Sequence, residues 1–570
     1  MNEKKSIQRL ATVGWHWPLS VCLTLAMGGV PLIACADDGR EATFADALLL
    51  EPAAVKSASA TVGVPEILEA LKRRDDAELL QAFYEQVNSA FLWNNERRVR
   101  ALVNALEQLS ADGLTPSDYA AGSLMAEYRA SRSSDRAGKA AFDLEATQQL
   151  LKALTHLQHG KLDPRELNPG WDGPESQSLP LAEIAASLMK NDVTAAFELA
   201  RPAQAHYQQL RQALADYRAM EQQGSVPLFP LRDASLRLGD QHDDVMALRQ
   251  RLTYWGEPGL LPGQADAYPE LGLEKGSPLD VFDSELDMAV KRFQRRHLLE
   301  DDGIVGNNTR QALNASISTR IDQLRINLER ARWIQPVFEQ EPRLWVDLAG
   351  YSMVYVRPTG EKWRSRVVVG SAQRETPVIH SQVTHLTVNP SWTLPPTIMR
   401  EDVLPRLRSD PGYLARRNMH VVNFEGKRLS ASSIDWNSPG NIMIRQAAGS
   451  SNPLGSVVVR FPNNEMIYLH DTPSRGLFSR DQRALSSGCV RVEGVEELAS
   501  MLLDDTGSKY RYSALKRSSR SDIQVNLPQR IPVALHYLTA WPDAQGQVTF
   551  REDIYQRDQE VLSALDRVET

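Results

Sequence analysis

The stretch Ser486-Ser487-Gly488-Cys489-Val490-Arg491-Val492 holds the one cysteine in the main body of a 570-residue chain. The other two, Cys22 and Cys35, lie in an N-terminal apolar run. A lone thiol forms no internal disulfide and no cysteine-only zinc site. It is either a small buried hydrophobe or a nucleophile. Its surroundings favour the nucleophile. Nineteen positions earlier stands His470, in Tyr468-Leu469-His470-Asp471-Thr472. A thiol attacks well once deprotonated, and an imidazole beside it takes the proton. Cys/His pairs of this kind lie apart in sequence and together in space. His470 ends a predicted strand and faces the loop that follows. Gly488 lets the backbone approach closely before Cys489, whose amide can then cradle an oxyanion. His380, His385, His420 and His536 are further candidate bases, but none has this motif context.

Outward from the motif, the chain reads as short strands. Leu344–Leu348, Ser352–Val356, Arg366–Val369, Val383–Val388, Val457–Phe461 and Met466–Leu469 are rich in Val, Tyr and Trp. Runs this short and β-branched indicate a mainly β domain over 343–560. Ile398–Arg445 is a polar, partly helical insertion. Ser500–Ser513 reads as helix and connector. Ile531–Tyr555 reads as a hairpin around Asp543-Ala544-Gln545-Gly546.

The N-terminal half has helical periodicity instead. Leu80, Phe83, Val87, Phe91, Val99, Leu102, Leu106 and Leu109 recur at spacings that fit one helical face. Leu144–Leu157 is a second helix, stopped by Gly160 with Pro164 beyond it. This predicts a helical scaffold over 64–229. His156 and His159 stand i, i+3 but have no third ligand candidate nearby, so no metal site is predicted. From 230 to 316, Leu236-Arg237-Leu238-Gly239-Asp240, the face Leu286, Ala289, Val290 and Phe293, and Asp302-Gly303-Ile304-Val305-Gly306 form one pattern. It resembles the peptidoglycan-binding module of cell-wall enzymes, with a Pro/Gly-rich insertion at about 257–280. A small helical spacer that binds nothing has the same pattern.

The Cys489 and His470 segments resemble the L,D-transpeptidase catalytic domain. That family pairs an upstream histidine with a Ser/Thr-His-Gly-Cys-x-Asn/Arg motif. Here Ser487 stands where the motif has its second histidine, while His470 and Cys489 are kept. The Ser-Ser-Gly-Cys-Val-Arg form resembles the large Gram-negative branch, which has a helical scaffold and a binding module. Asn389 to Pro396, Asp410 to Tyr413 and Tyr468 to Pro473 fit that branch. The implied fold class is α+β and multidomain: helical scaffold, small helical peptidoglycan-binding domain and mainly β catalytic domain. The insertion at about 400–445 is the implied lid.

The resemblance implies a chemistry. Cys489 attacks the meso-diaminopimelate carbonyl of a tetrapeptide stem, and His470 passes the proton to the departing D-alanine. An acceptor amine then resolves the thioester into a 3-3 cross-link. No metal or other cofactor is implied. Asp471 would orient His470 through its carboxylate or its main-chain carbonyl. Ser487, Gly488, Arg491, Tyr468 and Trp392 are the implied oxyanion and substrate contacts. Partners would be donor and acceptor stem peptides and other wall synthases, in cell-wall biogenesis and the setting of cell shape. Carbapenem-type β-lactams would acylate Cys489. Two alternatives stay open: an L,D-carboxypeptidase, in which water resolves the thioester, and a non-catalytic wall-binding envelope protein.

Composition narrows the rest. Hydrophobic residues make up 42% and charged residues 24% of the chain, as in a soluble globular protein. The net charge of -8, without a long basic run, argues against a nucleic-acid partner. Lys4, Lys5 and Arg9 precede an apolar run from Pro18 to Ala34, the pattern of a signal peptide over 1–36. Ala34-Cys35-Ala36 is an A-x-A cleavage site, and Leu32-Ile33-Ala34-Cys35 resembles a lipobox. Both readings place the mature protein in the periplasm, and it reaches a membrane only if Cys35 is lipidated. Residues 37–63 read as a tether.

Overall fold

The computed structural model describes residues 64–567, except 75–77, 169–170, 172, 174–177, 258–259, 261–278 and 341–342. The signal peptide, Cys22, Cys35, the tether and most of the 257–280 insertion lie outside the described residues.

The predicted helical face over 80–109 is divided between two helices, Glu78–Gln86 and Glu96–Gln108. The break falls at Asn88 and Ser89, which have φ of 49° and 53°. The turn is stable because Leu92 and Trp93 bury behind it. Their amides donate to the Asp143 carboxylate at 2.7–3.1 Å. Asp143 lies on the long helix Arg136–His159, whose Leu150 and Leu154 share one core with Phe83, Leu102 and Leu106. A helix start follows directly, with Asn95 accepting from the Arg97 amide.

A second core joins Asp244–Tyr254, Ser284–Arg296 and Asn307–Leu313. Leu286, Ala289, Val290 and Phe293 are buried together there, as their spacing requires. The Gln294 side chain accepts from the Gly303 amide and donates to Asp302, which closes the Asp302-Gly303 turn.

The C-terminal half is built on strands β1 (Arg343–Asp347), β2 (Ser352–Val356), β3 (Lys362–Gly370), β4 (Ile379–Val388), β5 (Trp392–Thr393), β6 (Met419–Val422), β7 (Arg428–Leu429), β8 (Met443–Gln446), β9 (Val457–Arg460), β10 (Leu469–His470), β11 (Ala484–Ser486), β12 (Val490–Val492), β13 (Ile523–His536), β14 (Ala540–Pro542) and β15 (Val548–Phe550). Nine of them form one sheet in the order β11-β3-β12-β10-β9-β4-β13-β1-β2. β2 also pairs with β3, so the sheet closes on itself. Val367, Val369, Leu386, Val457, Val459, Leu469 and Val490 fill the core on one face.

Two strand expectations change. The predicted strand over 466–469 shortens to β10. Asn463 folds the preceding loop by accepting from the Ile467 amide and donating to the Ile467 carbonyl. Met466 takes φ 55°, which a strand cannot hold. The predicted hairpin over 531–555 shortens to β14 and β15, while Ile531–His536 joins the central sheet between β4 and β1. The turn at Asp543–Gly546 stands as expected.

The predicted lid has a core of its own. β5, β8, β6 and β7 form a separate four-stranded sheet. Leu404, Leu407, Leu414, Val421 and Ile444 pack with it. Its two ends are tied down. Asn389 donates to the carbonyls of Lys516, Ser518 and Arg520, and buried Asn452 donates to those of Pro390 and Ala447.

The helix Ile317–Trp333 falls between the predicted domains and packs against all three. On one side Arg332 donates to the Tyr207 hydroxyl and the Asp112 carbonyl, both at 2.9 Å. On the other, Asn327 and Gln323 bind Thr539, and Arg330 binds Asp558 at 2.6 Å. Among the described residues, no helix is long and apolar enough to cross a membrane.

Candidate active site

β10 and β12 run parallel, with Leu469 opposite Val490 and His470 opposite Arg491. Side chains alternate along a strand. Leu469 and Val490 therefore enter the core, where both are fully buried. Tyr468, His470, Cys489 and Arg491 share the other face, and all four line one cavity of about 300 Å³. Ser487 and Trp392 line it too. The lid supplies Arg406, Tyr413 and Arg417 to the same walls.

His470 is buried, and its Nδ1 lies 2.6 Å from the Asp471 main-chain carbonyl. A carbonyl only accepts, so Nδ1 carries the hydrogen and Nε2 is left as the basic nitrogen. Of the two groups of Asp471, it is the carbonyl that faces the imidazole. The carboxylate is turned away. Asp471 Oδ2 accepts from the Ser456 amide and hydroxyl at 2.8 Å, and Oδ1 accepts from Arg475 at 2.6 Å. Gly455 makes this possible, because a Cβ there would lie 2.3 Å from Asp471 Oδ2.

Burial pushes the His470 imidazole down to about 3, helped by the Arg491 guanidinium and opposed by the Asp471 and Pro453 carbonyls. Burial pushes the Cys489 thiol up, against the Tyr468 amide and hydroxyl and the charges of Arg460 and Arg491. Both groups are therefore uncharged near neutrality. Cys489 is half-buried, and its Sγ lies 3.8 Å from the Met466 carbonyl. Among the described residues, no hydrogen bond joins the thiol to His470. Tyr468 packs edge-on to His470 at 5.7 Å and lies under Arg460 at 4.9 Å.

Gly488 has φ 107°, a backbone that other residues rarely adopt. Its amide donates to Ser486 Oγ at 3.2 Å, and its carbonyl accepts from Thr376 Oγ1 at 2.6 Å. Gly488 thus shapes the turn, and its own amide is committed elsewhere. The Cys489 amide donates to no acceptor among the described residues, which leaves it for an oxyanion. Ser486 Oγ in turn donates to the Cys489 carbonyl at 2.6 Å. Tyr555 braces the same turn through the Gly370 carbonyl and the Thr376 amide.

Ser487 Oγ accepts from Arg374 at 2.9 Å. The same guanidinium holds lid residue Asp402 at 2.7 and 3.0 Å, and Glu401 at 3.0 Å. Ser487 thus occupies a link to the lid. The position of Trp392 on β5 places it on the walls of two cavities, the one around Cys489 and a neighbour of about 930 Å³. Of the other histidines, half-buried His380 and buried His536 lie 3.0 Å apart, and neither lines the cavity.

Residues 341–513 match the family described as "L,D-transpeptidase catalytic domain". Over these residues the chain is similar to the L,D-transpeptidase family. Residues 241–313 match the "Putative peptidoglycan binding domain", and residues 78–214 the "Scaffold domain". A Haemophilus influenzae protein described as "Putative L,D-transpeptidase" is 38% identical over 242 residues. The match covers 42% of this chain and 48% of the relative, so it spans about half the relative's length. An L,D-transpeptidase structure from Xylanimonas cellulosilytica is 16% identical, covering 55% of this chain and 99% of that one, with a TM-score of 0.15. One from Stackebrandtia nassauensis is 12% identical, covering 55% and 97%, with a TM-score of 0.19.

Within residues 341–513, sequence reasoning missed Thr376, Ser456, Ser486, Arg374 and the arginines of the insertion. Ser486 lies inside the motif and was open to notice. Thr376 holds the Gly488 carbonyl and Ser456 the Asp471 carboxylate, contacts that no local pattern reports. Among the described residues, no group of three or more His, Cys, Asp or Glu side chains could hold a metal ion.

Proposed function

We propose that the protein is a cysteine-dependent L,D-transpeptidase that forms 3-3 cross-links between peptidoglycan stems. The observation that carries this reading is the shared face of Tyr468, His470, Cys489 and Arg491, with the Cys489 amide left for an oxyanion. A neutral thiol and a neutral imidazole suit proton transfer during attack. Sγ leaves the Met466 carbonyl as substrate enters, and the proton passes to His470 Nε2. The carbonyl oxygen of the attacked stem residue draws on the Cys489 amide, a donor typically worth about 3–4 kcal/mol in the transition state. His470 returns the proton to the departing D-alanine amine. The thioester conserves the energy of the cleaved amide, so no ATP is used.

The second cavity supports transfer to an amine. It adjoins the first along Trp392, Pro395, Leu454 and Tyr468, and has room for an acceptor stem. The carboxypeptidase reading needs no such groove. Peptidoglycan lies outside the cytoplasm, so the working compartment is the cell envelope, and the periplasm in a Gram-negative cell. Export through the segment before residue 37, with or without lipid at Cys35, belongs to the same proposal, as does cooperation with other wall synthases.

The test is incubation with disaccharide-tetrapeptide, read by mass spectrometry. The expected product is a dimer that has lost one D-alanine, with fragmentation placing a 3-3 bond. Cys489→Ala gives none, and a carbapenem adds its mass to the wild type and not to the variant. Tripeptide alone would make the protein a carboxypeptidase. Turnover in Cys489→Ala would overturn the mechanism.

A further inference from the structure

The cavity around Cys489 is lined by three arginines, Arg406, Arg417 and Arg491. Among the described residues, none of the three side chains makes a hydrogen bond or an ion pair. Arg491 is half-buried, and its Nε is fully enclosed without a partner. The only carboxylate on the cavity wall is Asp402, and both of its oxygens are already held by Arg374. Arg406 and Arg417 flank the Tyr413 ring, with guanidinium carbons 6.0 and 5.4 Å from its centre. Stacking of this kind fixes their direction without neutralising them. Arg406 and Arg417 are exposed and Asp402 lies close enough to feel Arg406, but three guanidinium-bearing residues against one carboxylate leave the walls positive, which favours an anion.

The chemistry says which anion. On the proposed reaction, the leaving amine takes its proton from His470. The terminal D-alanine must then lie on the His470 side of Cys489, inside this cavity. Its free carboxylate is one carbon away from that amine. Guanidinium groups bind carboxylates in a two-pronged, strongly directional way.

We propose that Arg406 and Arg417 of the lid, together with Arg491, read the free C-terminal carboxylate of the donor stem. The enzyme would then act only at the end of a stem, and the same carboxylate would tie the lid to the barrel during attack. This rests on the transpeptidase reading and adds a specificity that the fold does not require.

The test compares disaccharide-tetrapeptides ending in a D-alanine acid or a D-alanine amide, using the full chain. Wild type should prefer the acid by about a hundredfold or more in kcat/KM, since a site built for a polar group rejects substrates lacking it. In Arg406→Gln/Arg417→Gln the two substrates should converge to within about tenfold, mainly through a higher KM for the acid. Arg417→Lys should keep part of the preference. Carbapenem acylation of Cys489 reports that each variant is folded. A double variant that keeps the wild-type acid-to-amide ratio overturns the clamp, as does a wild type that uses both substrates equally. A wild type that uses neither, while its thiol still alkylates, overturns the transpeptidase reading and the clamp with it.

Discussion

Burial acts on Cys489 and His470 in one direction, pushing each toward its uncharged form. Two consequences follow at this scale. His470 is held near 3, so its ring stays a proton acceptor throughout the working range, and loss of activity through its protonation belongs well below pH 5. The thiol is raised, so thiolate is scarcer near neutrality than for a free cysteine. Iodoacetamide alkylation of Cys489 should therefore be slow at about pH 7 and climb without a plateau through about pH 9, the rate following the thiolate fraction. A plateau already reached at neutrality would instead mean a standing thiolate–imidazolium pair. His470 and Cys489 were legible in the sequence because each stands in a motif of its own. The choice of the Asp471 carbonyl over its carboxylate was not, since it depends on where Ser456 and Arg475 lie.

The insertion over 400–445 walls one side of the cavity around Cys489, through Asp402, Arg406, Tyr413 and Arg417. The sequence suggested a polar interruption there, but its strands β6, β7 and β8, and their sheet with β5, were not expected. Its attachment was not readable, because Arg374 reaches Glu401, Asp402 and Ser487 across more than twenty residues of chain. The Arg374 side chain is about one-quarter exposed, and its lid partners are more so. Such pairs are individually worth about 0.2–1 kcal/mol, so the latch is readily opened. Arg374→Ala should speed hydrogen exchange over 399–409 by roughly tenfold or less, with the central sheet unchanged. Exchange that stays at the wild-type rate would mean the lid core alone holds it closed.

Across the whole molecule, the helix Ile317–Trp333 packs against the N-terminal helices, the helical unit over 244–313 and the C-terminal strands. Its inward polar groups are charged and buried: Arg332 with Glu329 on the helix, and Asp112 with Arg201 and Arg211 opposite. Breaking a buried pair leaves one charge without a partner, at about 3–5 kcal/mol. Arg332→Ala, which strands Glu329 and removes the donor to Tyr207, should lower the denaturant midpoint by a corresponding amount. A loss under about 1 kcal/mol would mean that water replaces the missing guanidinium.

Local patterns in the chain determined a great deal about this protein. Apolar spacing set helices in the first half and strands in the second, and the two short motifs singled out Cys489 and His470, which share one cavity. These are readable because periodicity and backbone freedom act over a few residues. Tertiary structure alone decided that Met466 leaves its strand, that Ile531–His536 joins the central sheet, and that Gly488 shapes the turn while the Cys489 amide stays open. It alone gathered Arg406, Arg417 and Arg491 around one cavity. Charge is a property of each residue, but whether a charge is paired depends on the neighbours that folding brings to it.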